Sequence, residues 1–92
     1  MRYDLIYHPD VLKEDLRHIP ANIKARIRKA IETRLLKDPV LYGQPLRHSL
    51  KGHRKLRIGD WRIIYRIEHF TIIVLMIGNR RDVYQDVFHR HI

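Results

Sequence analysis

The chain predicts an α+β fold, and three observations carry that reading. Two early stretches repeat apolar residues at helical spacing, and a middle stretch alternates apolar and basic residues about a tight turn. A late stretch, Phe70 to Ile77 (FTIIVLMI), is almost wholly apolar. Two short helices with one apolar stripe each cannot bury themselves against one another alone, so a sheet has to supply the other wall of the core.

Arg2 to Tyr7 (RYDLIY) reads as a strand that stops at His8-Pro9, because proline cannot continue a ladder. Pro9-Asp10 opens a first helix with Val11, Leu12, Leu16 and Ile19 at helical spacing and Lys13, Glu14 and Arg17 outward. Pro20 closes it. A second helix starts at Ala21, with Ile23, Ile27, Ala30, Ile31 and Leu35 on one stripe and Lys24, Arg28 and Lys29 off it, and ends near Asp38-Pro39. Val40 to Gly52 is rich in turn formers and reads as a loop that Leu41, Leu46 and Leu50 tack to the core.

The stretch His53 to Ile67 (HRKLRIGDWRIIYRI) reads as two strands joined at Gly59-Asp60. Side chains alternate between faces of a strand, so His53, Lys55 and Arg57 share one face and Arg54, Leu56 and Ile58 the other. Trp61, Ile63, Tyr65 and Ile67 share one side of the second strand, and Arg62, Ile64 and Arg66 the opposite side. If Leu56 and Ile58 pack with the Trp61 series, Lys55, Arg57, Arg62 and Arg66 converge on a cationic concave surface. Glu68-His69 then makes a hairpin turn into a central strand from Phe70 to Ile77, and Gly78-Asn79 ends it. The tail from Arg80 to Ile92 has no strong period; Val83, Val87 and Phe88 suit a short helical turn or an extended segment. Without repeat, linker or low-complexity tract, residues 1–92 read as a single domain, burying roughly 60–65% of the surface an unfolded chain exposes.

The formal charge is +9, with an isoelectric point near 10.4. Between Arg47 and Arg66 seven Lys or Arg residues face one acid, Asp60, and a field of that sign attracts polyanions, of which nucleic acid is the usual one. An acidic protein partner, or charge kept for solubility, fits the excess as well; its placement on alternate strand positions favours nucleic acid. Absent cysteine, neither disulfides nor thiolate metal sites support the fold, which fits a reducing cytoplasm. The N-terminus has no secretory pattern, and no stretch approaches a membrane span.

Several chemistries are excluded. The single serine, Ser49, has no paired acid nearby, and the four glycines are isolated, so neither a serine triad nor a phosphate-cradling glycine loop is present. His89-x-His91 is a terminal pair without a third ligand, which points to no metal, and no cofactor is expected. A cation cluster with a late tyrosine remains. RNA is cut without metal when an enzyme takes the proton from a 2′-hydroxyl, steadies the phosphorane charge and protonates the departing 5′-oxygen, tasks that Lys, Arg, His and Tyr share. Arg62, mid-strand among apolar residues, is the best phosphate clamp; an exposed arginine paired with Asp60 or Glu68 fits its spacing equally well. Lys55, Arg57 and Arg66 fit a solvated sheet face too, and Trp61 and Tyr65 belong to the core series.

KLRIGDWRIIYRI, followed after one strand by IGNRRDVY, resembles the RelE/ParE superfamily of bacterial toxins from toxin–antitoxin systems, over essentially the whole chain. The loop GQPLRHSLKG, Arg62, Arg80 and Tyr84 carry the likeness. It implies a two-helix hairpin packed on a twisted, mainly antiparallel four-stranded sheet, as in small microbial ribonucleases. It further implies a ribosome-dependent endoribonuclease that cuts mRNA. In that family pattern Arg62 binds the scissile phosphate, Arg80 stabilises the transition state and protonates the leaving group, and Tyr84 orients a base. Lys55 and Arg57 match basic strand positions, and His53 stands where a second lysine is usual, which leaves His53 or Lys55 as general base. Two residues are missing between Arg80 and Tyr84 relative to that branch. Arg54 and Arg66 complete the expected substrate-binding set. Lys24, Arg26, Arg28 and Lys29 fit ribosomal RNA contacts or a solvated helix face. The resemblance also implies a cytoplasmic protein with a cognate antitoxin, in a possible heterotetramer. ParE-type relatives share the fold but inhibit DNA gyrase, which makes gyrase inhibition the alternative.

Overall fold

The computed structural model describes residues 3–90. A five-stranded sheet has the order β1-β5-β4-β3-β2, made of β1 (Asp4–Tyr7), β2 (Gln44–Pro45), β3 (Arg54–Ile58), β4 (Trp61–Glu68) and β5 (Thr71–Asn79). Only β1 runs parallel to its neighbour; the other pairings are antiparallel. The α+β architecture is as expected, with one strand more than the four predicted. The addition is β2, whose two residues pair with Lys55 and Arg54 inside the stretch read as a loop. Proline at an edge needs no ladder hydrogen on its outer side, so Gln44-Pro45 forms a strand that its composition disguises. Arg2, placed at the start of the first strand, lies outside the described residues, as does His91 of the terminal histidine pair.

The hairpin of helices packs on one face. The first is short: α1 (Pro9–Lys13) gives way to a 3-10 turn over Asp15–His18. His8 caps it, its Nδ1 accepting from the Asp10 amide at 3.0 Å. The second, α2 (Ala21–Ala30), continues as a π turn over Ile31–Leu35, where the Leu36 amide reaches the Ile31 carbonyl at 3.0 Å. Val11, Ile19, Ile27, Ala30, Ile31 and Leu35 meet Leu56, Ile58, Ile63, Tyr65, Ile72, Val74 and Ile77 in the main core. Then α3 (Pro39–Tyr42) occupies the start of the predicted loop, capped by Asp38, whose Oδ1 accepts from the Leu41 amide at 3.0 Å. Leu41 is 71% exposed and anchors nothing, whereas Leu46 and Leu50 do pack inward.

A second core lies on the other face of the sheet. There α4 (Val83–Asp86) and a following 3-10 turn (Val87–His89) lay Val83 and Val87 on Ile64, Leu75 and Met76. A bulge in β5 makes this possible: Ile64 pairs with Met76 and Tyr65 with Val74, so Leu75 has no counterpart. Val74 and Ile77 therefore face the helices, and Leu75 and Met76 face the tail. The apolar run that read as a central strand thus feeds two cores. The tail is fastened by Arg90, whose guanidinium donates to Asp15 at 2.7 and 3.0 Å and to the Leu75 carbonyl at 2.9 Å, while Asp15 also accepts from the Ile77 amide at 2.9 Å. These groups occupy the margin of β5 that β1, ending at Tyr7, leaves without a strand partner.

Candidate functional site

The predicted register holds, and it brings Lys55, Arg57 and Arg62 together but not Arg66. Arg57 lies directly across from Arg62, Lys55 across from Ile64, and Leu56 and Ile58 across from Ile63 and Trp61 on the core side. Side chains directly opposite across antiparallel strands stand about 4.5–5.5 Å apart at Cβ, so the two guanidinium stems are neighbours. The row continues to Gly78 on β5, opposite Arg62. A Cβ at Gly78 would stand 3.4 Å from Val83, at van der Waals contact, so α4 lies directly over this end of the arginine row.

Arg62 is 7% exposed and is held by the turn that precedes it: Nη1 donates to the carbonyls of Gly59 and Trp61 at 2.8 and 2.9 Å. Neither acid considered from its spacing pairs with it. Asp60 instead engages Arg80, at 3.5 Å, and Glu68 engages Arg66, at 3.0 Å. A buried guanidinium anchored through one nitrogen keeps its charge without a carboxylate to quench it, and its fork is suited to phosphate oxygens. Lys55, Arg57 and Arg62 line one pocket of about 190 Å³ with Arg34, Tyr42 and Gln44. Lys55 Nζ lies 5.6 Å from the centre of the Tyr84 ring, so α4 brings that tyrosine to the edge of the same cluster.

The remaining candidates lie elsewhere. Arg80 is half exposed and lines a separate cleft with Asp60, Asn79, Arg81 and Asp82; its amide donates to the Asp60 carbonyl at 2.8 Å. Arg54 points to the helix face, where Nη2 donates to the Val40 and Gly43 carbonyls at 2.8 Å each and ties α3 to β3. Tyr65 completes this tie, its hydroxyl donating to the Pro39 carbonyl at 2.7 Å; burial pushes its phenol pKa up. The ring nitrogens of His53 are buried and make no hydrogen bond of good geometry; desolvation holds its pKa below 6.5, opposed by the nearby Leu50 backbone and reinforced by Arg66. The structure thus gathers Lys55, Arg57, Arg62 and Tyr84 and leaves Arg54, Arg66, His53 and Arg80 outside that pocket.

Sequence reasoning missed Arg34, which lies in the π turn and reaches the pocket from the helix side, and the Asp15–Arg90 clamp. Asp15 did carry a signal. It falls four residues after Val11 and four before Ile19, on the buried stripe, where a carboxylate requires a cation. Arg90 carried none, since its partner is 75 residues away.

Comparison with known proteins agrees with this architecture. A family model described as the ParE toxin of the type II toxin–antitoxin system parDE matches residues 5–84. Toxin RelG of Mycobacterium tuberculosis is 35% identical over 75 residues, covering 79% of this chain and 86% of that protein. Toxin RelE of the same organism is 33% identical over 73 residues, 77% of this chain and 75% of its own length. Among solved structures, the M. tuberculosis toxin–antitoxin complex RelBE2 contains a chain that superposes with a TM-score of 0.79 at 29% identity, covering 87% of this chain and all of that one. A mutant E. coli RelE toxin in the free state shares the fold, with a TM-score of 0.74 at 18% identity over 97% of this chain and 93% of its own. With a toxin model spanning nearly the whole sequence and two toxins above 30% identity over three-quarters of it, the chain belongs to the RelE/ParE superfamily of type II toxin–antitoxin toxins.

Proposed function

We propose that the protein, acting as one domain over residues 1–92, is a ribosome-dependent endoribonuclease that cuts mRNA and is neutralised by a cognate antitoxin. The observation that carries this reading is the cross-strand pair Arg57 and Arg62, with Lys55 and Tyr84 beside it and no carboxylate among the residues lining the pocket. A phosphodiester seated there takes the Arg62 fork on its non-bridging oxygens while the 2′-oxygen attacks phosphorus. The P–O5′ bond breaks as the departing oxygen takes a proton from solvent water, leaving a 2′,3′-cyclic phosphate and a 5′-hydroxyl. Lys55 is better presented than His53 to remove the 2′-proton, because it lines the pocket whereas the imidazole nitrogens are covered. The resemblance gives Arg80 the departing oxygen to stabilise; because Arg80 lines a separate cleft and pairs with Asp60, that role requires the pair to open, while the Tyr84 ring offers a face for a base. Arg54 and Arg66 serve as structural ties rather than substrate contacts.

The antitoxin reading draws on the RelB–RelE complexes solved from M. tuberculosis and Methanococcus jannaschii. A heterotetramer of toxin and antitoxin fits it. Ribosomes place the action in the cytoplasm; among the described residues no helix is long and apolar enough to cross a membrane.

The test is to add the purified protein to translating ribosomes and map mRNA ends. Cleavage that disappears in Arg62→Ala while the variant still folds supports the reading, and undiminished cleavage by that variant ends it. Gyrase inhibition stands second because the matching family model is that of the ParE toxin. Loss of supercoiling by gyrase, with mRNA left intact, would establish it instead.

A further inference from the structure

Arg26, Lys29, Arg34 and Arg57 line one cleft of about 400 Å³ on the helix side of the sheet, at the outer edge of β3. None of the four joins an ion pair among the described residues, where the paired cations are His8, Arg66, Arg80 and Arg90. Holding four like charges around one space costs free energy unless an anion enters it. Arg34 and Arg57 also line the pocket that holds Lys55 and Arg62, so the two cavities share a wall. The Gly59 turn joins them further. Its carbonyl accepts from Arg62, and the Arg26 guanidinium lies 3.7 Å from where a Cβ on that residue would stand. The edge between them is open, because β2 pairs only as far as Lys55 and leaves Leu56 to Ile58 uncovered.

We propose that this cleft is a second phosphate-binding site, taking the backbone of the same single-stranded RNA as it leaves the Arg57–Arg62 row and turns over the edge of β3. The proposal rests on the nuclease reading for the identity of the first phosphate. Three of the four cations are arginines, whose forks match phosphate oxygens. The lining favours phosphate over an acidic peptide: the apolar side chains Ala30 and Ile58 are buried at 7% exposure each, and no exposed large apolar residue contributes to it.

The experiment measures binding of a short 2′-O-methyl single-stranded RNA, which lacks the attacking hydroxyl, across a salt series. The double variant Arg26→Ala/Lys29→Ala alters exposed positions that line this cleft and not the Arg57–Arg62 pocket, and leaves the core intact. Its affinity falls roughly tenfold. The slope of log affinity against log salt becomes shallower by about 0.7 for each phosphate that is no longer neutralised. Unchanged affinity and slope overturn the proposal. So does an equal loss from Lys13→Ala on α1, outside the cleft, or a variant that loses affinity for polyglutamate while its RNA slope stays wild type. If Arg62→Ala still cleaves like the parent, the nuclease reading fails while the oligonucleotide titration decides the cleft separately.

Discussion

Arg90 and Asp15 form a two-pronged ion pair, 2.7 and 3.0 Å, with side chains only 11% and 6% exposed. The pair closes the free margin of β5 beside the bulge and holds the tail that carries Tyr84. Its proton affinity is tuned accordingly: hydrogen bonding to Asp15 raises the Arg90 pKa despite burial. Asp15→Ala strands a buried guanidinium and the Ile77 amide together, and is expected to cost about 3–5 kcal/mol. Urea titration of Asp15→Ala, Arg90→Ala and the double variant checks this, with the double expected to lose much less than the sum.

Arg62→Lys is expected to lower cleavage roughly 100-fold or more. Lysine keeps a point charge but cannot both hold the turn carbonyls and fork onto phosphate. Single-turnover cleavage on ribosomes measures it, and a rate within a few-fold of the parent contradicts the clamp role.

Tyr84 separates ring from hydroxyl. Tyr84→Phe keeps the face that Lys55 overlies and should retain most activity, whereas Tyr84→Ala removes a stacking surface of about 1–3 kcal/mol. Comparing the KM of the two variants tests whether the ring or the oxygen matters.

Gly43 admits no side chain, because an added Cβ would overlap the Tyr65 hydroxyl. Gly43→Ala should destabilise by about 1–3 kcal/mol as Tyr65 is pushed from the Pro39 carbonyl. Tyr65→Phe alone costs about 1 kcal/mol. Thermal melts of both and of the double variant should show sub-additive loss, since the phenylalanine removes the oxygen that collides.

His53 makes folding stability depend on pH. Its folded pKa lies below 6.5, so in the window between that value and 6.5 the unfolded chain binds more protons. The stabilisation is whole above about 6.5 and declines as pH falls through the window. His53→Gln should flatten that portion of the stability curve relative to the parent, measured by denaturant midpoints at successive pH values.

The sheet register was legible in the sequence because period-two alternation leaves one consistent way to bury Leu56, Ile58, Ile63 and Tyr65, and Arg57 and Arg62 must then meet. The helix stripe through Ile27, Ile31 and Leu35 was legible for the same reason at period 3.6. What lay hidden depends on distant partners or on broken periods. Gln44-Pro45 pairs only because β3 offers an edge, and Leu75 escapes pairing inside an apolar run where every residue looks alike. Arg80 was recognised as a site residue, yet which cavity it lines depends on its tie to Asp60. The covering of His53 follows from how the segment before β3 folds back, which alternation does not report.

The odd residue at Leu75 also governs what the gene can tolerate. Removing the Leu75 codon would restore unbroken alternation while Met76, Ile77 and Gly78 keep their partners Ile64, Ile63 and Arg62 and their sides of the sheet. What would be lost is the second apolar side chain that the strand turns toward the tail, so Val83 and Val87 would rest on Ile64 and Met76 without Leu75. The doubled residue is thus the means by which one strand serves a core on each face, and its deletion is expected to loosen the tail that carries Tyr84 while the helix-side core stays intact.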